Sequence, residues 1–329
     1  MTSKQFRGIL AILILSFSSP LIAEQDPRNR LLETRACSGC DLSGMDLRGA
    51  QLVGADLRNT NLRESDLSDS SLTRALLYAA DLQKAKLKGA DLQEASFSRA
   101  NLQGVDLSRQ QLQQGKLSHA NLKEALLIET DLRGANLTSA DLTGADLSKA
   151  DLSGALLTHA NLTDANLQQT QLAGAMLRGQ DFRQIQSIRG ANLSNADLRH
   201  SNFSRVDLSG IDLGQARLLK ADLSEANLMG SRLVNAELKK VRLERADLSG
   251  ADLTGARLIG ARLKYAKLAG AKIENVQIGG SLIETDFSNA SLTRSSLSGA
   301  NLKGARFLQA NLSFVDFEHA NLYGVDFTQ

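Results

Sequence analysis

The sequence predicts a solenoid, in which one narrow unit is copied along the chain and stacked on itself. Two observations carry this. From Leu42 onward an apolar residue, nearly always leucine, returns every five residues almost to the end of the chain. The composition is also monotonous: 329 residues include 10 Phe, 3 Tyr, 2 Pro and no Trp, as when a single unit is repeated many times. Five is the period of neither regular element. On an α-helix five residues turn through about 500°, so successive leucines would lie roughly 140° apart and share no face. On a straight strand they would alternate between faces. The period therefore requires a chain that bends at every unit, and it makes internal repeats the first thing to map.

Residues 1–23 stand apart. Lys4 and Arg7 precede an apolar run from Ile9 to Leu15, and Pro20 and Ala23 follow. This is the layout of a secretory signal peptide cleaved after Ala23, and the run is short for a membrane span. Residues 24–36, EQDPRNRLLETRA, read as a lid: Asp26 can N-cap a short helix, Pro27 suits its first turn, and Leu31 and Leu32 can sit on the first coil. The repeat then occupies 37–329.

The recurring Leu or Phe is called the centre. Centres run from Leu42 to Phe182 in 29 units, from Ile188 to Ile278 in 19, and from Leu282 to Phe327 in 10. One residue is extra between Phe182 and Ile188, and one is missing after Ile278. Register breaks are expected near 183–187 and 279–281. Of the centres, 48 are Leu, 7 Phe and 3 Ile. The residue two before each centre is mostly small (Ala50, Ala55, Ala80), and the one between is mostly Asp or Asn (Asp46, Asn61, Asn101). One large and one small inward position per unit can fill a narrow tube. Gly, Asn and Ser after the centre suit a turn needing φ > 0.

This A(D/N)Lxx pattern resembles the pentapeptide-repeat proteins over nearly all of the chain after residue 36. The resemblance implies an all-β fold, a right-handed quadrilateral parallel β-helix in which four units make one square coil of 20 residues. The units of this chain would form about 14 coils, with a rise of roughly 4.8 Å each. Phe287, Phe307 and Phe327, spaced by 20, should then stack on one side. They read as a plug, or as a surface for end-to-end pairing of two copies.

Candidates for chemistry are few. Cys37 and Cys40 form a CxxC, but Asp41 stands where haem attachment needs His, and no further Cys exists for a zinc site. In an exported protein a disulfide closing the first coil is one reading and two buried thiols the other. His119, His159, His200 and His319 each follow a centre by two and fall on one edge. The nearest pairs are two coils, roughly 10 Å, apart, too far for a shared metal. They read as exposed turn residues. No catalytic constellation, cofactor motif or long pocket-building loop is visible, and a non-catalytic protein is expected.

The formal charge is +2, with 38 basic and 36 acidic residues. Setting aside Lys4 and Arg7 leaves a balance. From Arg217 to Lys272, however, 12 Lys or Arg face 6 Asp or Glu, and Arg232, Arg242, Arg257, Arg262, Lys267 and Lys272 stand where Asp or Asn is usual. Arg178, Arg199, His200, Arg217, Lys220, Lys239, Lys240 and Arg257 should share one side, weakened by Asp197 and Glu237. Such a side can attract phosphates, anionic lipid or acidic glycans. The sequence thus reads as an exported scaffold or binding rod of the periplasm, or of the thylakoid lumen if cyanobacterial. The family resemblance also raises inhibition of DNA gyrase by mimicry of DNA, as in its quinolone-resistance branch. Neutral charge and an export signal argue against that partner.

Overall fold

The computed structural model describes residues 26–328. The expected signal peptide at 1–23 lies outside them. Helix α1 (Pro27–Thr34) opens the described chain, with the Asp26 carboxylate accepting from the Arg28 N–H and Arg35 closing it in a left-handed turn at φ 55°. Leu31 is buried against the first coil, and Arg28 Nε donates to Asp46 O at 2.9 Å. Leu32, expected beside Leu31, is 38% exposed. Adjacent residues on a helix point about 100° apart, so only one of the two can face the coil.

From Ala36 on, the chain forms parallel bridges between residues 20 apart, in four columns. They begin at Ala36↔Asp56, Asp41↔Asn61, Asp46↔Asp66 and Gln51↔Ser71. Each centre donates its N–H one coil onward, as Leu42 N does to Asn61 O at 2.8 Å. The residue before it donates one coil back, as Asn61 N does to Cys40 O at 2.9 Å. A turn separates the faces. Its second residue is left-handed whatever its type: Gly54 φ 67°, Asn59 φ 56°, Glu64 φ 57°, Arg74 φ 60°. The ladder on both sides holds residues that would otherwise avoid that conformation. Leucine centres and alanines fill the tube, with Leu142, Leu147, Ala140 and Ala145 all essentially inaccessible.

The Asp or Asn before the centre has a structural task. Its side-chain oxygen accepts from the N–H two residues on, as Asp41 does from Ser43 at 3.1 Å and Asn61 from Arg63 at 3.2 Å. Asn also donates down the stack, from Asn61 to Asp41 at 2.9 Å and from Asn121 to Asn101 at 2.8 Å. These turns fix each corner. Polar residues at the small inward position reach the centre carbonyl 23 residues earlier: Thr60 to Cys37, Thr130 to Leu107 and Thr170 to Leu147, each at 2.8 Å. Among the described residues no buried side-chain nitrogen or oxygen lacks a partner.

The ladder opens in places. Gln110 and Gln180 occupy small inward positions and bond to Leu87 O and Leu157 O at 2.9 Å, as threonine does elsewhere. Glutamine is longer, and the coils separate around it. Leu87, Gly89, Leu92 and Glu94 donate no backbone hydrogen bond to the following coil, and neither does Leu162. At the extra residue the chain turns through a short 3-10 segment, Phe182–Gln184, leaving Ile185 half-buried and Gln186 exposed. At the missing residue, strands β1 (Arg257–Arg262) and β2 (Gln277–Ser281) pair in parallel, with a register shift between Ile259 and Ala261. Gly280 has φ 125°, and a Cβ there would lie 2.3 Å from Ala261 O, so the shortened coil requires glycine.

Candidate binding side

The column through Met176, Asp197, Arg217, Glu237 and Arg257 is bridged coil to coil. It defines one side of the rod. Arg178, Arg199 and Lys239 follow the centres of that side by one residue, and His200, Lys220 and Lys240 by two. Gly179 N bonds to Arg199 O at 2.9 Å, His200 N to Leu219 O at 3.0 Å and Lys220 N to Lys239 O at 3.1 Å, which sets these turns one above another. The structure brings all eight residues of the sequence-derived group to this side.

Their charges are not equivalent. Asp197 is 4% exposed at its side chain and lies beneath Arg199, whose Nε donates to it at 2.7 Å. That hydrogen bond holds the Asp197 carboxyl below the usual carboxylate range, against the opposing effect of burial. Arg217 lies 3.8 Å from both Asp197 and Glu237. Arg178, Lys220, Lys239, Lys240 and Arg257 make no ion pair among the described residues. Exposed Leu156 and Met176, bridged to each other, and exposed Ile259 flank these free cations along the rod.

Elsewhere part of the apparent basic excess is cancelled, although Arg245, Lys264 and Lys272 make no ion pair among the described residues. Arg232 meets Asp212 at 3.0 Å, Arg242 meets Asp222 at 3.1 Å and Lys267 meets Asp247 at 3.6 Å, each one coil earlier. Composition counted these as excess charge, but the 20-residue stacking pairs them.

Cys37 and Cys40 are joined by a disulfide, with Cα atoms 5.3 Å apart. It does not close a coil, because its ends are three residues apart. It staples one corner, where Cys40 N also donates to Cys37 O at 3.1 Å. The four histidines are exposed and occupy left-handed turn positions of one edge, at φ 57–63°. Among the described residues no group of three or more His, Cys, Asp or Glu is placed to hold a metal ion, and no helix is long and apolar enough to cross a membrane.

At the far end Phe287, Phe307 and Phe327 stack with ring centroids 4.9 and 5.4 Å apart, and Phe317 meets Phe307 edge-on at 6.0 Å. Phe327 is 42% exposed, and the N–H groups of Leu312, Phe317 and Leu322 donate to no following coil.

The sequence reading expected no pocket, yet the openings of the ladder form two. One, of about 520 Å³, lies between 182–189 and 204–207. The other, of about 450 Å³, lies between 84–89 and 104–110. The glutamines at small inward positions and the extra residue were the available signals. The break near 183–187 was expected from the extra residue, and the opening around Gln110 was not.

A family model described as pentapeptide repeats matches this chain in nine spans, running from 37–74 to 290–329. The stretches left between spans are 110–115, 185–186 and 277, where Gln110, the extra residue and the shortened coil fall. No curated protein matches. Among solved structures the chain is similar to HetL, a pentapeptide repeat protein involved in heterocyst differentiation regulation in the cyanobacterium Nostoc, at 29% identity over 82% of this chain and 90% of that one, with TM-score 0.21. It is similar to a pentapeptide repeat protein of the Arabidopsis thaliana thylakoid lumen at 34% identity over 34% of this chain and 68% of that one, with TM-score 0.21. It is also similar to QnrB1, a plasmid-mediated fluoroquinolone resistance protein, at 18% identity over 70% of this chain and 85% of that one, with TM-score 0.24.

Proposed function

This chain belongs to the pentapeptide-repeat family, and from that premise we propose that it is a non-catalytic, exported binding rod that attaches to an anionic surface through one side. The rod is a right-handed quadrilateral β-helix of about 14 coils, lidded at its first coil by α1 and rising roughly 4.8 Å per coil. One observation carries the reading. On the side through Arg217, the cations Lys220, Lys239 and Lys240 stand together without an acidic partner among the described residues, while Arg232, Arg242 and Lys267 on neighbouring columns are paired. Like charges about 5 Å apart lie inside a Debye length of about 8 Å at physiological salt, so they repel one another until an anion relieves them.

Attachment of this kind is weak and salt-sensitive, since Asp197 and Glu237 offset part of the charge. The mature chain should bind vesicles containing anionic lipid at low salt and release at physiological salt. Reversal of Lys220, Lys239 and Lys240 together to Glu should abolish binding with the fold intact. Equal binding by wild type and triple variant would remove the proposal.

The same row of unpaired cations disfavours mimicry of DNA toward gyrase, which needs a face of unpaired acids. Export rests on residues 1–23 and is tested by fractionating the cells that make the protein, with periplasm or thylakoid lumen as the expected compartment. The Phe327 end is a further contact surface in this reading. Its stacked rings suit a second copy placed end to end. A concentration-dependent doubling of mass, lost in Phe327→Glu, would support that pairing.

A further inference from the structure

The larger cavity lies on the side of the rod opposite the basic one, in the column through Asn166, Ser187, Asp207 and Asn227. Its origin is the extra residue. Everywhere nearby on that column the ladder is closed. Leu167 N bonds to Ser187 O and Leu208 N to Asn227 O, both at 2.7 Å. Gln169 N bonds to Arg189 O and Gly210 N to Met229 O, both at 2.9 Å. The equivalent donors at the opening, Ile188 N and Gly190 N, have no acceptor, and Asp207 N has none on the coil below. The matching acceptors Asp207 O, Ser209 O and Gln186 O have lost their donors in turn. Backbone groups left unpaired beside a buried residue such as Ile188, 3% exposed, are costly unless something fills them.

The surroundings select what that would be. Arg189 borders the cavity with no ion pair among the described residues. Arg183 and Arg205 also line it, each spending part of its guanidinium on Asp181 and Glu225 respectively. Ile188 N and Gly190 N lie on either side of Arg189 in one turn, with Gly190 at φ 71°. The Arg189 N–H between them donates to Ser187 Oγ at 3.4 Å, so two free N–H groups remain for an anion, and the guanidinium adds planar, bidentate recognition of phosphate or carboxylate. Across the gap the free groups are carbonyl oxygens and the Asp207 carboxylate, which accepts from Ser209 N and Asn227 Nδ2 and makes no ion pair among the described residues; such oxygens accept from hydroxyls and confine an anionic group to the Arg189 side. Half-buried Ile185 and Val206 supply an apolar wall.

We propose that this opening is a binding site for a small polyhydroxylated anion, a sugar-like body carrying one phosphate or carboxylate. The oxyanion takes Ile188 N and Arg189, with Gly190 N just beyond the lining, and the hydroxyls take Asp207 O and Gln186 O. At about 520 Å³ the cavity is within the range of small-molecule sites. The inference goes beyond the rod's attachment through its basic side, and the two sites share no residue.

The test is titration of the protein, followed by backbone amide NMR and calorimetry, with four probes: glucose 6-phosphate, glucuronate, inorganic phosphate and glucose. Glucose 6-phosphate or glucuronate should shift the Ile188, Gly190 and Asp207 amides and bind at least about tenfold more tightly than phosphate or glucose alone. Whichever of the two binds better identifies the oxyanion. Arg189→Ala, a surface change, should weaken binding about tenfold or more, and the triple variant of the basic side should leave it unchanged. Deleting Gln184 restores the five-residue step and should close the site. Absence of binding by all four probes overturns the proposal, as does equal binding of free phosphate, or full retention of binding in both the Arg189→Ala and deletion variants.

Discussion

Replacing Gln110 by Ala tests whether one side chain holds two coils apart. In the protein, Leu87, Gly89, Leu92 and Glu94 donate no backbone bond onward. One coil earlier, the equivalent Leu67, Asp69, Leu72 and Arg74 bond to Lys86, Lys88, Asp91 and Gln93 at 2.8–2.9 Å. Alanine at 110 restores the size usual at that position and lets the coils close. With the absent return bonds of Asp106 N and Gln111 N to the coil below, six regained bonds at about 0.5–1.5 kcal/mol each are worth about 3–9 kcal/mol together. Against this stands the loss of the Gln110 bond to Leu87 O, about 1 kcal/mol, together with the buried methylenes of Gln110 at about 0.8 kcal/mol apiece. The expected net effect is stabilisation of several kcal/mol at most, seen as a melting temperature higher by several degrees. Hydrogen exchange gives the sharper reading. The amides of 87, 89, 92 and 94 should exchange much faster than those of 67, 69, 72 and 74 in the wild type, and the difference should vanish in Gln110→Ala. Equal protection of the two sets in the wild type would refute the open ladder. A less stable variant would show that Gln110 fills the gap rather than causing it, and would shift the cause to repulsion among Lys84, Lys86 and Lys88.

Three further outcomes follow from the register, the charges and the bridge. Leu142→Asp removes a fully buried leucine and places a carboxylate without a partner in the tube, a loss of about 4 kcal/mol or more, while Ser148→Asp on the surface should stay within about 0.5 kcal/mol; chemical denaturation distinguishes them, and equal losses would disprove the register. The carboxyls of Asp56, Asp131, Asp181 and Asp197 are held low chiefly by hydrogen bonds from Arg58, Arg133, Arg183 and Arg199, with burial opposing. A lowered folded-state pKa stabilises above the unfolded value near about 3.9 and is lost as pH falls through the folded value, so melting temperature should be flat from neutral pH to about 5 and drop below about 4; a steady decline beginning near neutrality would contradict this. Cys40→Ser opens a bridge spanning three residues, so short a loop that the loss should be about 2 kcal/mol or less, and free-thiol titration of the wild type should find no reactive cysteine.

Much of this fold was legible because its rule is short. Centre, small residue and Asx residue recur within five positions, and each has a local cause: a buried leucine, an alanine that fits beside it, and a side chain that caps its own turn. What could not be read came from distances of about 20 residues. The Arg232–Asp212 and Arg242–Asp222 pairs are invisible to a running charge count, since the partners are neighbours only after one full coil. The exposure of Leu32 was missed because both leucines of the expected helix were set on the first coil, although adjacent helical residues point about 100° apart. The register break near 183–187 was expected, whereas the opening at Gln110 was not. At 110 and 180 the inward glutamine has its amide satisfied. The cost appears in the backbone around it, where the extra length separates coils that a threonine, bonded to the same type of carbonyl, leaves closed.

The same logic says where function can reside in such a rod. A strict repeat satisfies itself. Asx side chains cap turns, charges pair with the coil above or below, and backbone groups are used by the ladder. A site requires groups that the repeat leaves unsatisfied, and the structure leaves them in few places. On one side the excess is of charge, where Lys220, Lys239 and Lys240 stack without acids between them. On the opposite side it is of hydrogen-bonding capacity, where an extra residue separates Ile188 and Gly190 from Asp207 and Ser209. At the last coil it is of apolar surface and unpaired N–H groups together. In the proposed reading these departures would take different ligands: an anionic surface, a small hydroxylated anion and, at the Phe327 end, a second copy. A substitution that restores the repeat at one of them should therefore stabilise the rod and remove one binding property, leaving the other two in place.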